Sequence, residues 1–310
     1  MKRRVHISQK FNLGEKGHID YEFVDVAIND DVKLFLDPCL IELSEDEWGI
    51  KANKLINSFF GQLFEAYRND DDVRIMNLLS YAGEQNGTRL GYGRGNNGKG
   101  NTPEGLAKIL LPMKKMIADI QTISKPLDVP LLIVGFAEDG MSDLITNILH
   151  THLTDYTIDI LGKCVDIEVK DRTFSAWNID LMKWEKVRKK SILVDGKEIL
   201  LVPKNIVRKQ YLFSTSQYFS RIVLERMREE GEYTDINGKK LSKKEVLREK
   251  RFSGDHWQYK ENIDYSTQHN DVLQEYHEKI SGFYLNNGGP MSDEQLDEVV
   301  YGDTKNKRHM

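Results

Sequence analysis

The sequence predicts a mixed α/β (α+β) fold, with a mixed central sheet flanked by helices and a helical C-terminal region. Three observations carry this expectation. Strand-like apolar stretches recur near residues 20–36, 129–136, 165–169 and 191–203, and segments of three- and four-residue apolar spacing separate them. Beyond Phe213 the remaining apolar patterns read as helices. The 310 residues are 39% hydrophobic and 30% charged, which is polar but still enough for a sizeable core.

In chain order, Ile19–Ile28 and Val32–Leu36 read as a hairpin about the turn Asn29-Asp30-Asp31. Trp48, Leu55, Phe59, Phe60, Leu63, Phe64 and Tyr67 share one face of a helix over Ile50–Arg68, and a second helix covers Asp72–Tyr81. Gly83–Gly105 is a loop rich in glycine and asparagine. Thr102 as N-cap, Pro103 at the first position and Glu104 in the first turn then open a helix to Gln121, with Pro112 as a kink site. Val129–Phe136 is continuously apolar and reads as a buried strand, followed by a helix from Ser142 to Tyr156. Val165–Val169 alternates as a strand does, and Asp195-Gly196 joins Ser191–Val194 to Lys197–Val202 in a type I′ hairpin. Ser214 or Ser216 caps a helix to Glu230, and Ser242–Arg251 and His269–Ile280 follow as helices. The resulting organisation is a mixed α/β core with an N-terminal hairpin at 1–231, a basic helical region at 232–285 and a flexible tail at 286–310.

No apolar run is long enough to cross a bilayer, and the basic Met1-Lys2-Arg3-Arg4 is not followed by the apolar stretch of a signal peptide. Two cysteines, Cys39 and Cys164, argue against a disulfide framework and for a reducing compartment. A cytoplasmic protein with no membrane partner is expected. The net charge of −5 argues against a general nucleic-acid binder, but the distribution is uneven. Residues 181–260 hold about 20 Lys/Arg against about 11 Asp/Glu, while the rest of the chain is acidic. That contrast suits a phosphate-facing region on an acidic protein, although mixed stretches such as Arg221–Glu230 also suit a solvated helix surface.

Four constellations could carry chemistry. In the first, Glu138-Asp139-Gly140 ends the expected strand, Ser142 opens the next helix, and Asp143 and Asn147 share a helical face. Mg²⁺ takes oxygen ligands, commonly one or two carboxylates with water and phosphate, and Glu138, Asp139 and Asp143 offer them. The same acids also suit the dipole of a helix N-terminus, and Ser142 suits a cap. In the second, Asp166, Glu168 and Lys170 share one strand face, where a carboxylate can hold a metal and an ammonium can stabilise phosphate charge. Glu168-Val169-Lys170 resembles the second motif of the PD-(D/E)xK nuclease superfamily, with Asp139 or Asp143 as the upstream acid. The resemblance covers about thirty residues and implies a mixed-sheet nuclease core, Mg²⁺ (or Mn²⁺) and phosphodiester hydrolysis.

The third is Lys204, at the end of an apolar run after Pro203, placed to replace Lys170 as the catalytic cation, to contact phosphate or to snorkel. The fourth is Gly93-Arg-Gly-Asn-Asn-Gly-Lys99, whose Gly93, Gly95, Gly98 and Lys99 match the spacing of phosphate-cradling loops. Gly100 stands where a P-loop needs Ser or Thr, so a nucleotide-hydrolysing P-loop is not expected. Asp25 and Asp37 lie inside apolar strands, either as hydrogen-bonded structural acids or as further metal ligands. His150 and His152 face differently on a helix and make a poor zinc pair, and Trp177 and Trp184 suit a core or an interface.

Two functional readings follow. In one, the protein is a nuclease of DNA or RNA in which Asp139, Asp143 and Glu168 hold Mg²⁺ or Mn²⁺, Lys170 or Lys204 stabilises charge, and the basic region tracks the backbone. It would act alone or within a multi-protein system. In the other, it is a non-enzymatic adaptor that senses a nucleotide or phosphate through the glycine loop and docks a protein partner.

Overall fold

The computed structural model describes residues 4–14, 17–83, 85–92, 102–164, 167–231 and 233–302. Helix outweighs strand, 52% to 13%, and the strands form two small antiparallel sheets. The mixed α+β class and the helical C-terminal region hold, but there is no central mixed sheet.

The expected N-terminal hairpin does not close on itself. After α1 (Ile7–Phe11) and a 3-10 turn at His18–Asp20, residues 21–37 run through the molecule as an extended thread whose backbone bonds to three separate segments. Ile7 N–H donates to Val26 O, Val24 N–H to Val202 O, Val32 N–H to Arg89 O and Asp37 N–H to Ile206 O. Only Phe35–Leu36 (β1) enters a ladder, with β5 (Val207–Arg208). The Asn29–Asp31 turn is present, but each extended half finds its partners elsewhere, because most side chains of both halves, on both faces, are buried and one hairpin could not cover both faces.

Asp37 ends the thread and starts α2 (Pro38–Glu42): its Oδ1 accepts from Cys39 N at 2.8 Å, and Pro38 occupies the first helical position. The long amphipathic α3 (Glu47–Arg68) and α4 (Asp72–Leu79) follow as expected, each capped by an aspartate. Thr102 caps α5 (Pro103–Leu110), and Pro112 separates it from α6 (Met113–Asp119). The segment expected as a buried strand at 129–136 is instead α7 (Asp128–Leu132) and a turn. A short run of consecutive apolar residues fits a fully buried helix as well as a strand, and Pro130 could not donate in a sheet interior. Asp128 decides the matter by accepting from Ser124 N and Lys125 N, which sets the turn that starts the helix.

The next helix begins four residues before Ser142 and breaks at Leu149, giving α8 (Glu138–Ile148) and α9 (His150–Leu161). Glu168–Asn178 (β2) and Lys183–Val194 (β3) then form a ribbon paired at eleven positions, far longer than 165–169 suggested. Asp195 and Gly196 both have positive φ, as a type I′ turn requires, and join β3 to the short β4 (Lys197–Glu198).

Ser214 caps α10 (Thr215–Tyr218), which continues through a π-helical stretch at Phe219–Val223 into α11 (Leu224–Glu229). Helix α12 (Lys243–Val246) is one turn with a Ser242/Glu245 capping box, so the helix expected over Ser242–Arg251 is much shorter. Helix α13 (Trp257–Gln268) was not expected, and α14 runs over Val272–Asn286. Within the expected loose tail, Asp293–Tyr301 is a capped helix, α15. It packs on the N-terminal segment: Tyr301 OH donates to Asp25 Oδ2 at 2.7 Å, and Asp297 pairs with the buried His18 Nδ1 at 2.7 Å. Among the described residues no helix is long and apolar enough to cross a membrane. Cys39 is buried and Cys164 half-buried, both as free thiols.

Burial pushes the Asp37 carboxyl up to about 6, against the opposing effect of the Tyr284 phenol and the α2 amides. Between pH ~4 and ~6 the folded state therefore binds more protons than the unfolded one, so this group's contribution to stability falls as pH rises through that window. Urea melts at pH 4.5 and 7 should show that fall in the wild type relative to Asp37→Asn. Equal pH responses in the two proteins would contradict it.

Candidate functional site

The acid-bearing end of α8 lies against the strand β1 and the loop 88–92. Ala137 offers no side-chain cap, and Glu138 and Asp139 stand in the first turn, where negative charge suits the helix dipole. Ser142 does not cap the helix; its Oγ accepts from Leu36 N at 3.1 Å and so fixes α8 to the thread. Asn147 donates to Gly83 O at 2.6 Å and to Asp143 O at 2.9 Å. Gly91, at φ +135°, passes so close that a Cβ there would lie 3.2 Å from Asp139 Oδ1. Tyr92 stacks obliquely on Phe35, and burial together with the charges of Glu138 and Asp139 raises its phenol pKa. The arrangement is an acidic helix end bracing the entry to the glycine-rich segment.

The other expected site residues are placed elsewhere. Glu168 and Lys170 sit on an exposed stretch of β2 and pair with each other at 2.5 Å. Lys204 donates to His18 O and pairs with Asp293 at 2.8 Å, which commits it to holding α15. Asp139, Asp143 and Glu168 are all described, yet among the described residues no three His, Cys, Asp or Glu side chains form a group able to hold a metal ion. This donor set therefore does not fit a shared Mg²⁺ or Mn²⁺. Gly93, Gly95, Gly98 and Lys99 lie outside the described residues, as do Glu84 and Asp166. Asp25 and Asp37 are fully buried and hydrogen-bonded, as structural acids are. His150 stacks on Phe174 and pairs with Glu198, while His152 stacks on Trp48.

The structure sorts the cations of the basic region. Lys204, Arg226, Arg228, Lys243 and Arg251 are all held in ion pairs. Lys239, Lys240, Lys244, Arg248 and Lys250 carry none among the described residues, but they sit on turns and around the single turn of α12, not in a row. The β2–β3 ribbon is different. Residues paired directly across antiparallel strands share a face, and faces alternate along each strand. One face carries Arg172, Phe174 and Lys189 and packs toward α9, where Lys189 pairs with Asp155. The opposite, solvent face presents Lys186, Arg188 and Lys190 at about 6.8 Å intervals, across from Ser175, Thr173 and Asp171. Arg188 pairs with Asp171 at 3.1 Å through two exposed side chains, while Lys186 and Lys190 have no ion pair among the described residues. The sequence alone did not reveal this row, because β2 and β3 were not recognisable as one ribbon; the alternation of Lys186, Arg188 and Lys190 was the available signal.

A family model described as a domain of unknown function (DUF8370) matches residues 12–214, which takes in the thread, α8 and the whole ribbon but none of α11–α15. No curated protein and no solved structure matches the chain.

Ser142→Ala should leave the buried Leu36 amide without a partner and destabilise the fold by about 1–3 kcal/mol. Denaturant unfolding reads this directly, and an unchanged midpoint would show that Ser142 does not anchor α8 to the thread.

Proposed function

Because the chain belongs to the DUF8370 family, whose description names no activity, we propose its function from the surface itself: the protein binds nucleic acid along the solvent face of the β2–β3 ribbon. The row Lys186–Arg188–Lys190 carries this reading. Regularly spaced cations on a rigid, exposed ribbon can meet successive phosphates, and release of counterions from the polyanion supplies the free energy. A two-stranded ribbon is also narrow enough for a nucleic-acid groove. The acidic remainder of the chain favours this one approach by repelling a polyanion elsewhere. The free thiols suit a reducing, cytoplasmic setting where nucleic acid is available.

The reading is of binding, not cleavage. The acids expected to hold a metal are divided between the α8 end and the ribbon edge, and both lysines expected to assist them are engaged in ion pairs.

Fluorescence anisotropy with a labelled oligonucleotide tests the proposal. Lys186→Ala/Lys190→Ala should weaken binding at ~100 mM salt and lower the salt-dependence slope by about 2, roughly one for each phosphate left without its cation. Lys239→Ala/Lys244→Ala should change neither. A wild-type protein that binds no oligonucleotide at low salt, or equal weakening in both double variants, would sink the reading. Mg²⁺-dependent cleavage that disappears in Asp143→Asn would replace it with the hydrolytic one.

A further inference from the structure

Where the ribbon reverses, its turn overhangs the end of α4 and leaves an open groove of about 530 Å³, within the size range of ligand pockets. The geometry points to this groove as a site for an unpaired nucleobase, which makes the preferred ligand single-stranded nucleic acid. This inference rests on the nucleic-acid reading of the ribbon and adds the strandedness of the ligand.

The groove has an aromatic corner. Tyr81, 40% exposed, and Trp184 lie 5.6 Å apart between ring centroids at 56°. The indole is fixed by Nε1 donating to Leu78 O at 2.8 Å, so one wall is rigid before any ligand arrives. Arg74 and Lys183 also line it, and among the described residues no carboxylate does. Asn77 is exposed and its side chain makes no hydrogen bond among the described residues, which leaves the side-chain amide, a donor and an acceptor, open to the edge of a base.

The corner is continuous with the proposed phosphate track. Lys186 begins the row on the ribbon face and also lies 5.4 Å from the centre of the Tyr81 ring. A backbone following Lys190, Arg188 and Lys186 is therefore delivered to an aromatic face flanked by cations. A track for phosphates combined with a stacking platform is how proteins hold single strands, since every base offers a π face. A paired base inside a duplex is already stacked and cannot enter. The turn itself is held for this, with Asn178 Oδ1 accepting from Asp180 N and Leu181 N, both at 2.9 Å.

The test compares a labelled single-stranded oligonucleotide with a blunt duplex of the same sequence by anisotropy. The single strand should bind more tightly. Tyr81→Ala should weaken it roughly tenfold while leaving duplex affinity and the salt slope unchanged, Tyr81→Phe should bind as the wild type, and Asn77→Ala should cost a few-fold. Asn77 is exposed, so that variant keeps the test valid if Tyr81→Ala unfolds. Equal single-strand and duplex affinities with no effect of Tyr81→Ala or Asn77→Ala would overturn the base site while the ribbon reading stands. Loss of all oligonucleotide binding in the Lys186→Ala/Lys190→Ala variant, without any Tyr81 effect, would do the same. No binding by the wild type would remove both proposals. A tryptophan fluorescence change on adding an apolar peptide but not the oligonucleotide, lost in Trp184→Phe, would reassign the site to a protein partner.

Discussion

Two buried aspartates on one extended segment organise the molecule. Asp25 and Asp37 stand near the two ends of the thread, both fully buried, and a buried carboxylate survives only where donors surround it. Asp25 receives Ser8 N, Ser8 OH and the Tyr301 phenol, and Asp37 receives Cys39 N, Leu40 N and the Tyr284 phenol at 2.5 Å. In each case the last donor comes from a C-terminal helix, α15 or α14. The thread thus cannot be satisfied by its own neighbourhood, and the chain must return from its far end to complete it. Since leaving a buried acceptor unmade costs about 1–3 kcal/mol or more for a charged group, these two phenols tie the ends of the chain together more strongly than exposed ion pairs could.

The same thread positions the acidic end of α8. Its other side gives Leu36 N to Ser142 and the Phe35 ring to Tyr92, and Tyr211 OH bridges Leu36 O and Glu138 O. One strand's worth of backbone therefore faces α14 through Asp37 and α8 through Leu36. The seating of the C-terminal helices and the placing of the α8 acids are mechanically linked through two adjacent residues. Glu138 is thereby part of a braced helix end, held through its backbone carbonyl.

Local chemistry in the sequence was easily read. The caps at Thr102 and Ser214, the break at Pro112, the amphipathic face of α3 and the Asp195-Gly196 turn each depend on a few neighbouring residues, and each is present. What depended on distant partners was not legible. Residues 19–36 look like a hairpin because both halves are extended and apolar, but whether they pair with each other or with residues 202–208 is a tertiary choice. Val129–Phe136 has no period to distinguish strand from helix, and the bonds by which Asp128 settles it are made to backbone amides that the sequence does not show. Glu168-Val169-Lys170 has the spacing of a catalytic strand motif, yet spacing says nothing of whether an upstream acid arrives beside it. Lys204 likewise read as aimed at a site because its partner, Asp293, lies nearly ninety residues away in a segment that looked loose.

The distribution of charge shows why the ribbon, and not the helical region, is the face left for a partner. On the helical layer several long cations have acids within reach on neighbouring helices, and Arg226 illustrates the result by spanning both Asp271 and Glu275. A two-stranded ribbon over solvent has only its own cross-strand neighbours. Opposite Lys186 and Arg188 these are Ser175 and Thr173, neutral hydroxyls, and the one carboxylate of this face, Asp171, meets Arg188 in an exposed pair. Such a surface keeps most of its field directed outward, and its one ion pair, Arg188–Asp171, is already solvated, so an anionic polymer displaces it at little cost. The aromatic corner at the ribbon's turn lies at the end of that field, so in the proposed reading charge brings a strand to the ribbon and the shape of the groove decides what part of it can stay.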